Sequence, residues 1–350
     1  MACALSGPIL GIETSCDETA VALVRQKVGG KLEVLGSKIS SQIEDHRPFG
    51  GVVPEIAARQ HLRWLSEMTG DLLGEVGLAK EDLGGIASTS GPGLASSLLI
   101  GLNFGKGLAL ALGKPWCGIN HLEGHLLSPF LDGALPPEEP HLGLIISGGH
   151  TLLIEVERPG RYRRLGGTRD DAVGEAFDKV AKMLGLPYPG GPQVERWAAK
   201  GRTDRFTFPR GLARSGDFDF SFSGLKTAVR LQVEKLEQPL SDGDRADICA
   251  GFQSAVIEVL VQKTLAAAEQ RGLATITVSG GVSANQTLSR VIMERAKAAG
   301  RVCWVADRRW STDNAVMIAG AALWGGWPGG GTEWERDVDP NLRVAGQGQI

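Results

Sequence analysis

Residues 121–125 read HLEGH, with two histidines four positions apart. On a helix that spacing puts both imidazoles on one face, one turn apart, which is a way to hold a metal ion. A zinc protease needs the order H-E-x-x-H, with the glutamate directly after the first histidine. Here Glu123 stands two positions after His121 and, at about 100° per residue, points roughly 200° away from the histidine face. A carboxylate so placed is a poor base for a metal-bound water, and peptidase is the weaker reading of the motif. The bland alternative is a pair of helix-face histidines with no metal. A two-histidine site needs at least one more ligand, and STDNAVMIAG offers Asp313. Thr312 or Asp313 ahead of an apolar run is also an N-cap signature; both roles coexist if a carboxylate oxygen faces the histidines. Two imidazoles and one carboxylate with open positions suit Fe2+, and suit Zn2+ as well.

A second chemistry is written in glycine turns. ISGGHT (146–151) and SGGVSAN (279–285) each follow a strand with a turn of small residues. Backbone N–H groups in such turns cradle phosphate, and the second turn opens a helix whose N-terminus favours anions. Singly, Ser-Gly-Gly also makes ordinary turns; a pair of them is a better signal. TSGPGLASS is a third glycine turn opening a helix. TRDDAVGEAFDKVAKMLGLPYPGGP sets Asp170, Asp171, Glu175 and Asp178 near a helix start, where acids complement the dipole. The functional reading is that Glu175 or Asp178 binds ribose hydroxyls. FDFSFSGLKTAV alternates Phe218, Phe220 and Phe222 as a half-buried strand, then presents Ser223 and Lys226. Lys226 is either a phosphate or RNA contact or a solvated lysine.

Strands and helices must position these groups. PILGIETSCDETAVALV reads as two strands around a polar turn, and KLEVLGSKI as a third. PEIAARQHLRWLSEMTGDLL has apolar residues at helical spacing. GGIASTSGPGL is a strand, ASSLLIGLNFGKGLALALG a helix, and PWCGIN a strand leading into the HLEGH helix. After the proline-rich, acidic stretch LDGALPPEEPH (131–141), the best linker candidate, the theme restarts. GLIISGGHTLLIEV pairs with GIETSCDETAVAL as two copies of one hairpin, each opening a lobe. Helices follow at about 170–184, 224–234 and 243–271, with the strands ATITVSG and RVCWVA and a last helix from about 312. The pattern predicts an α/β fold: a duplicated architecture of two lobes around a nucleotide cleft. Residues 1–135 form an N-terminal lobe with the metal-binding helix, 136–325 a C-terminal lobe with nucleotide-binding turns, and 326–350 a poorly ordered tail.

Composition narrows the class. A chain of 350 residues with 42% hydrophobic and 22% charged residues is long enough for two cores. No stretch reads as a membrane span, since Asn103 and Lys106 interrupt the most apolar one, and the N-terminus lacks the basic start of a signal peptide. Five scattered cysteines with no CxxC point to a reducing compartment, the cytosol or an organelle matrix, and the location expected is cytoplasmic. A net charge of −3 means that RNA binding needs a local basic patch or a partner protein. RYRRLG, RGLAR and DRRW are short basic clusters, each more simply a solvated surface.

Taken in order, GIETSCDETAVAL, GGVVPEIAARQH, GPGL, HLEGHLLSP, ISGGHT, DDAVGEAFDKVAK, YPGGP, DFSFSGLKT, GGVSAN and TDNAVMIA closely resemble the TsaD family of tRNA threonylcarbamoyltransferases, in its bacterial or organellar form. The resemblance spans roughly 8–322. It implies a duplicated actin-like ATPase (ASKHA) fold. It implies transfer of a threonylcarbamoyl group from threonylcarbamoyl-AMP to N6 of the adenosine 3′ of the anticodon, in tRNAs reading codons that start with A, with release of AMP. His121, His125 and Asp313 fall on the family's metal ligands, with Fe2+ favoured and Zn2+ the alternative. Ile145, Ile146, Ser147, Gly148, Gly149, Asp178, Gly191 and Asn285 fall on its adenylate-binding positions. Glu13 and Asp17, on the first hairpin, are the candidates for proton removal or positioning. The implied partners are tRNA, a paralogous TsaB-like subunit and a TsaE-like small ATPase, with no membrane. The chain departs from the family at Ala95 and Ser96, where relatives carry Val-Gly, and at Asn120, where many bacterial members have a further histidine. The readings set against it are a metallopeptidase using HLEGH and an ATP-binding kinase or ATPase of the same fold.

Overall fold

The apolar stretches form two five-stranded sheets in the computed structural model, which describes residues 7–325, 327 and 333–344. The first holds β1 (Ile9–Glu13), β2 (Glu18–Gln26), β3 (Leu32–Ser41), β4 (Gly85–Gly91) and β5 (Trp116–Asn120), in the order β3-β2-β1-β4-β5. β1 runs antiparallel to β2 and parallel to β4, and β4 runs parallel to β5. The second holds β6 (His141–Ile146), β7 (Thr151–Arg158), β8 (Arg161–Gly167), β9 (Thr275–Ser279) and β10 (Val302–Val305), in the order β10-β9-β6-β7-β8. β6 runs antiparallel to β7 and parallel to β9, and β9 runs parallel to β10. Exchanging β1, β2, β4 and β5 for β6, β7, β9 and β10 reproduces the order and the directions. The two resembling hairpins, β1–β2 and β6–β7, occupy the same place in each sheet.

The chain divides into two compact units, one of 1–138, 157–162 and 312–350, the other of 139–156 and 163–311. In the first, Leu10, Ile12, Val21 and Leu23 pack with Leu65, Leu72, Leu102 and Trp116. In the second, the long helix Asp242–Gln270 runs through the core, where Phe252 meets Phe177 edge-on at 5.0 Å. Strands β1, β4, β5 and β6 are buried at every residue, so they read as continuous apolar or small runs rather than as alternation.

The structure departs from the sequence pattern in three places. Position in the chain puts the last helix, Ala315–Gly325, with the second lobe, but it packs in the first unit. It is apolar on all sides and needs a pocket that admits it closely. Gly11 on β1 provides one, since a Cβ there would collide with the Ala315 carbonyl. The alternating phenylalanines at 218–222 do not make a strand: Phe220 forms a single bridge to Thr168, and Phe220 and Phe222 are buried as a loop crosses the core. The tail is the third. Residues 326, 328–332 and 345–350 lie outside the described residues. The stretch 333–344, however, is tied to the first unit: Arg336 Nε donates to Ser90 Oγ at 3.1 Å, Asn120 Nδ2 to the Arg343 carbonyl at 2.8 Å, and Val344 is buried.

Among the described residues, two helices are long and apolar enough to cross a membrane by composition alone, Ala95–Leu112 and Asp242–Gln270. The apolar window of the second is 78% buried, as in a core helix. In the first, Lys106 donates to the carbonyls of Trp334 and Arg336 and lies 4.9 Å from the Trp116 ring centre.

Candidate functional site

HLEGH forms the short helix His121–Leu127, which follows β5 directly. Asn120 caps it, its Oδ1 accepting the Leu122 N–H at 2.9 Å, so an asparagine at this position starts the helix. Gly124 faces the last helix: a Cβ there would lie 2.8 Å from Met317 Cγ. That close approach brings the residues before Ala315 to the histidines. Capping of the last helix falls to Asn314, whose Oδ1 accepts the Met317 N–H at 2.9 Å. Asp313, an N-cap candidate in the sequence, turns its carboxylate to the histidines instead.

The two Nε2 atoms converge on one oxygen, with His125 Nε2 at 3.1 Å and His121 Nε2 at 3.5 Å from Asp313 Oδ1. One ligand atom from each of His121, His125 and Asp313 lies within 4.8 Å of the others. Ligands about 2.1 Å from an ion stand about 3.0 Å apart at right angles and about 3.4 Å apart at the tetrahedral angle. The two histidine–Asp313 separations are close to that spacing, and the donor set of two imidazoles and a carboxylate suits a divalent transition metal.

Behind His121 lies Glu13, fully buried at the end of β1. His121 Nδ1 donates to Glu13 Oε2 at 3.0 Å, which leaves the Nε2 lone pair pointing at the ligand position. The Thr89 hydroxyl on β4 donates to the same oxygen at 2.6 Å, and Ser15 N–H to the other at 2.5 Å. Burial disfavours a charged His121, but the carboxylates of Asp313 and Glu13 outweigh it and raise the ring to about 9. Without a cation at the cluster, His121 takes up a proton to balance the buried negative charge. His125 goes the other way: burial lowers it, against the pull of Asp313.

Asp17 sits differently. Burial and then the neighbouring Asp17 push Glu18 well above the usual carboxylate range. Asp17 is thus engaged with Glu18, and Glu13 alone of the two candidates touches a histidine. The loop carrying Asp17 is braced from behind. His61 Nε2 donates to the Cys16 carbonyl at 2.9 Å, and its Nδ1 accepts from Thr19 Oγ1 at 2.8 Å. Sequence patterns single out neither His61, Ser15 nor Thr89. A histidine buried on an amphipathic helix is the only trace they leave in the sequence. Glu123 lies off the histidine face, as its spacing predicts. Burial raises it to about 7, against the pull of the Arg336 charge.

The adenylate candidates all fall in the second unit. The turn after β6 closes through Ser147 N–H to the His150 carbonyl at 2.8 Å, and the turn after β9 lies against it. Gly280 has φ +88°, and a Cβ there would lie 2.5 Å from the Ile146 carbonyl oxygen. Gly174, at the start of the helix Val173–Met183, comes as close, its hypothetical Cβ 2.6 Å from the Ser147 carbonyl. Above Gly148, Gly149 and Gly191 the space is open. Asp178 accepts the Gly190 N–H at 2.7 Å and so fixes the start of the helix Gly190–Ala198. Asn285 is an N-cap: its Oδ1 accepts Leu288 N–H at 2.9 Å, and its Nδ2 donates to Gln253 at 2.8 Å. Ile145 is paired with Ser279 inside the sheet. The turns end adjacent parallel strands, β6 and β9, at their carboxyl ends, where α/β sheets bind ligands.

A family model described as "TsaD: tRNA N6-adenosine threonylcarbamoyltransferase" matches residues 33–320. The chain belongs to the TsaD family. A relative from Verminephrobacter eiseniae named tRNA N6-adenosine threonylcarbamoyltransferase is 48% identical over 340 residues, covering 96% of this chain and 98% of its own. One of the same name from Acidovorax sp. is 51% identical over 320 residues, 91% of each. Among solved structures, HypF of T. kodakarensis superposes with a TM-score of 0.60 at 14% identity, over 91% of this chain and 47% of that one. That likeness carries the fold alone, and with the repeated strand order it makes this TsaD-family chain a duplicated ASKHA-like α/β protein. It is an enzyme of the transferase class its family names.

Proposed function

We propose that this chain transfers the threonylcarbamoyl group of threonylcarbamoyl-AMP to N6 of the adenosine 3′ of the anticodon, in tRNAs reading codons that start with A. The observation that carries the reading is the His121–His125–Asp313 cluster, its two histidines buried and His121 oriented by Glu13, in a chain of this family. The donor is a mixed anhydride. The N6 amine attacks its carbamoyl carbon, a C–N bond forms, the bond from that carbon to the phosphate oxygen breaks, AMP leaves, and N6 gives up one proton. An exocyclic amine is a weak nucleophile, so orientation supplies much of the rate.

The turns at 147–149 and 279–281 take the phosphate of the adenylate through backbone N–H groups. Gly191 leaves room for the nucleoside, while Asp178 and Asn285 act by fixing the helix starts beside it. His121, His125 and Asp313 would hold Fe2+, or alternatively Zn2+. A divalent ion there supplies Lewis acidity toward a donor oxygen. Glu13 serves as a positioning residue, and Asp17 is kept as a candidate for accepting the N6 proton. The target base must leave its stack to react. We further infer a cytoplasmic enzyme working with TsaB-like and TsaE-like companions. Peptidase chemistry is disfavoured because Glu123, two positions after His121 on the helix His121–Leu127, points away from the histidine face.

The test is a transfer assay with a threonylcarbamoyl-adenylate synthase, threonine, bicarbonate, ATP, companions and unmodified tRNA, read by mass spectrometry of the digested nucleosides. A threonylcarbamoyladenosine peak that disappears with His121→Ala is expected. Its absence from the wild-type reaction, with donor and companions shown competent, would overturn the reading; an ATP-hydrolysis assay would then test the kinase or ATPase alternative.

A further inference from the structure

The second unit carries a basic groove that neither the adenylate turns nor the family match accounts for. It has a volume of about 550 Å³ and is lined by Lys179, Lys182, Met183, Lys226, Thr227 and Arg230. Lys179 and Lys182 are three apart on the helix Val173–Met183, and Lys226 and Arg230 four apart on the helix Ser223–Glu234, so each pair occupies one helix face. Like charges at those spacings destabilise a helix, and here two such pairs share one groove. Carboxylates answer the cations unevenly. Lys179 is held by Asp171 at 2.8 Å and Glu175 at 2.6 Å, Lys226 lies 3.8 Å from Asp171, and Arg230 lies 3.7 Å from Glu234 in an exposed pair. Exposed pairs of that kind contribute little. Lys182, exposed, has no carboxylate partner among the described residues. No acid lines the groove itself.

We infer that this groove binds the phosphodiester backbone of the tRNA substrate. Two helices set four cations around one groove that Met183 and Thr227 also line, an arrangement that suits a run of phosphates better than one small anion. It also supplies the local basic surface that a chain of net charge −3 needs in order to hold RNA. The inference rests on the tRNA reading above.

The test is the double variant Lys182→Ala/Arg230→Ala, both positions being exposed, so the fold is expected to survive; a circular-dichroism melt checks this. Each lost phosphate contact flattens the slope of log affinity against log salt by about 0.7–0.9. If the counterion effect vanishes near 1 M salt, two contacts amount to a loss of roughly ten- to thirtyfold at about 0.15 M. Binding of labelled tRNA by anisotropy should weaken by that factor, and the KM for tRNA should rise accordingly, with kcat and the KM for threonylcarbamoyl-AMP unchanged. A tRNA affinity and salt slope within twofold of wild type would overturn the inference and leave an acidic protein surface as the occupant to examine. If wild type binds tRNA through the groove yet forms no modified nucleoside, the functional reading fails while the groove stands.

Discussion

Replacing Glu13 by glutamine separates positioning from catalysis at the metal cluster. Glu13 Oε2 accepts from His121 Nδ1 at 3.0 Å and Thr89 Oγ1 at 2.6 Å, and Oε1 accepts Ser15 N–H at 2.5 Å. Alanine would strand three buried donors at about 1–3 kcal/mol each, a sum comparable with a typical fold's whole margin of about 5–15 kcal/mol. Glutamine keeps the shape. Its oxygen retains the bonds to His121 and Thr89, but its NH2 then meets the Ser15 N–H, two donors face to face. We expect a loss of about 1–3 kcal/mol in stability from that contact. Losing the charge that fixes the His121 tautomer should weaken metal binding by about 10–100-fold, or about 1.4–2.7 kcal/mol. Chelator-competition titration of Fe2+ and Zn2+ measures the affinity, and the nucleoside assay at saturating metal measures turnover. Activity restored by added metal supports positioning. Lost activity with unchanged metal affinity would refute it and make Glu13 a group acting on the substrate.

The charge balance of the cluster predicts a pH dependence. His121 is held at about 9, above the roughly 6.5 of an unfolded histidine, so in metal-free protein its contribution is fully present below about 6.5 and lost as pH rises through about 9. Melting temperatures of chelator-treated protein should fall across that window more steeply than those of His121→Gln, and metal affinity should rise over it, because the ion displaces a proton; identical profiles for the two proteins would contradict the assignment. Gly280→Ala puts a side chain at φ +88° and 2.5 Å from the Ile146 carbonyl. A cost of about 1–3 kcal/mol in urea unfolding and a loss of AMP affinity are expected, and unchanged AMP binding would remove the turn from the nucleotide site.

Much of the site is legible in the order of the amino acids alone. The four-residue spacing of His121 and His125 survives because a helix fixes side-chain directions locally, and Glu123 points away for the same reason. The glycine turn at 279–285 is readable because close backbone approach demands glycine, as at Gly280. Resemblance of the two hairpins announces the duplication that the paired strand orders make explicit.

What the sequence does not carry is contact between distant segments. Asp313 and Asn314 are both good N-caps; only the packing of Gly124 against Met317 decides that Asn314 caps while Asp313 turns to the histidines. Chain order assigns the last helix to the second lobe, yet an all-round apolar helix goes where it can be buried, here against Gly11. Alternation of Phe218, Phe220 and Phe222 mimics a strand because a loop that dips into a core buries every second residue just as a sheet does. Glu13 reads as one acid on a polar hairpin. Its role comes from Thr89, Ser15 and His121 meeting it out of water, where a charge persists only if its partners are supplied. Local geometry is therefore written in spacing and residue type, while the charge balance and the partner of each polar group are settled by burial.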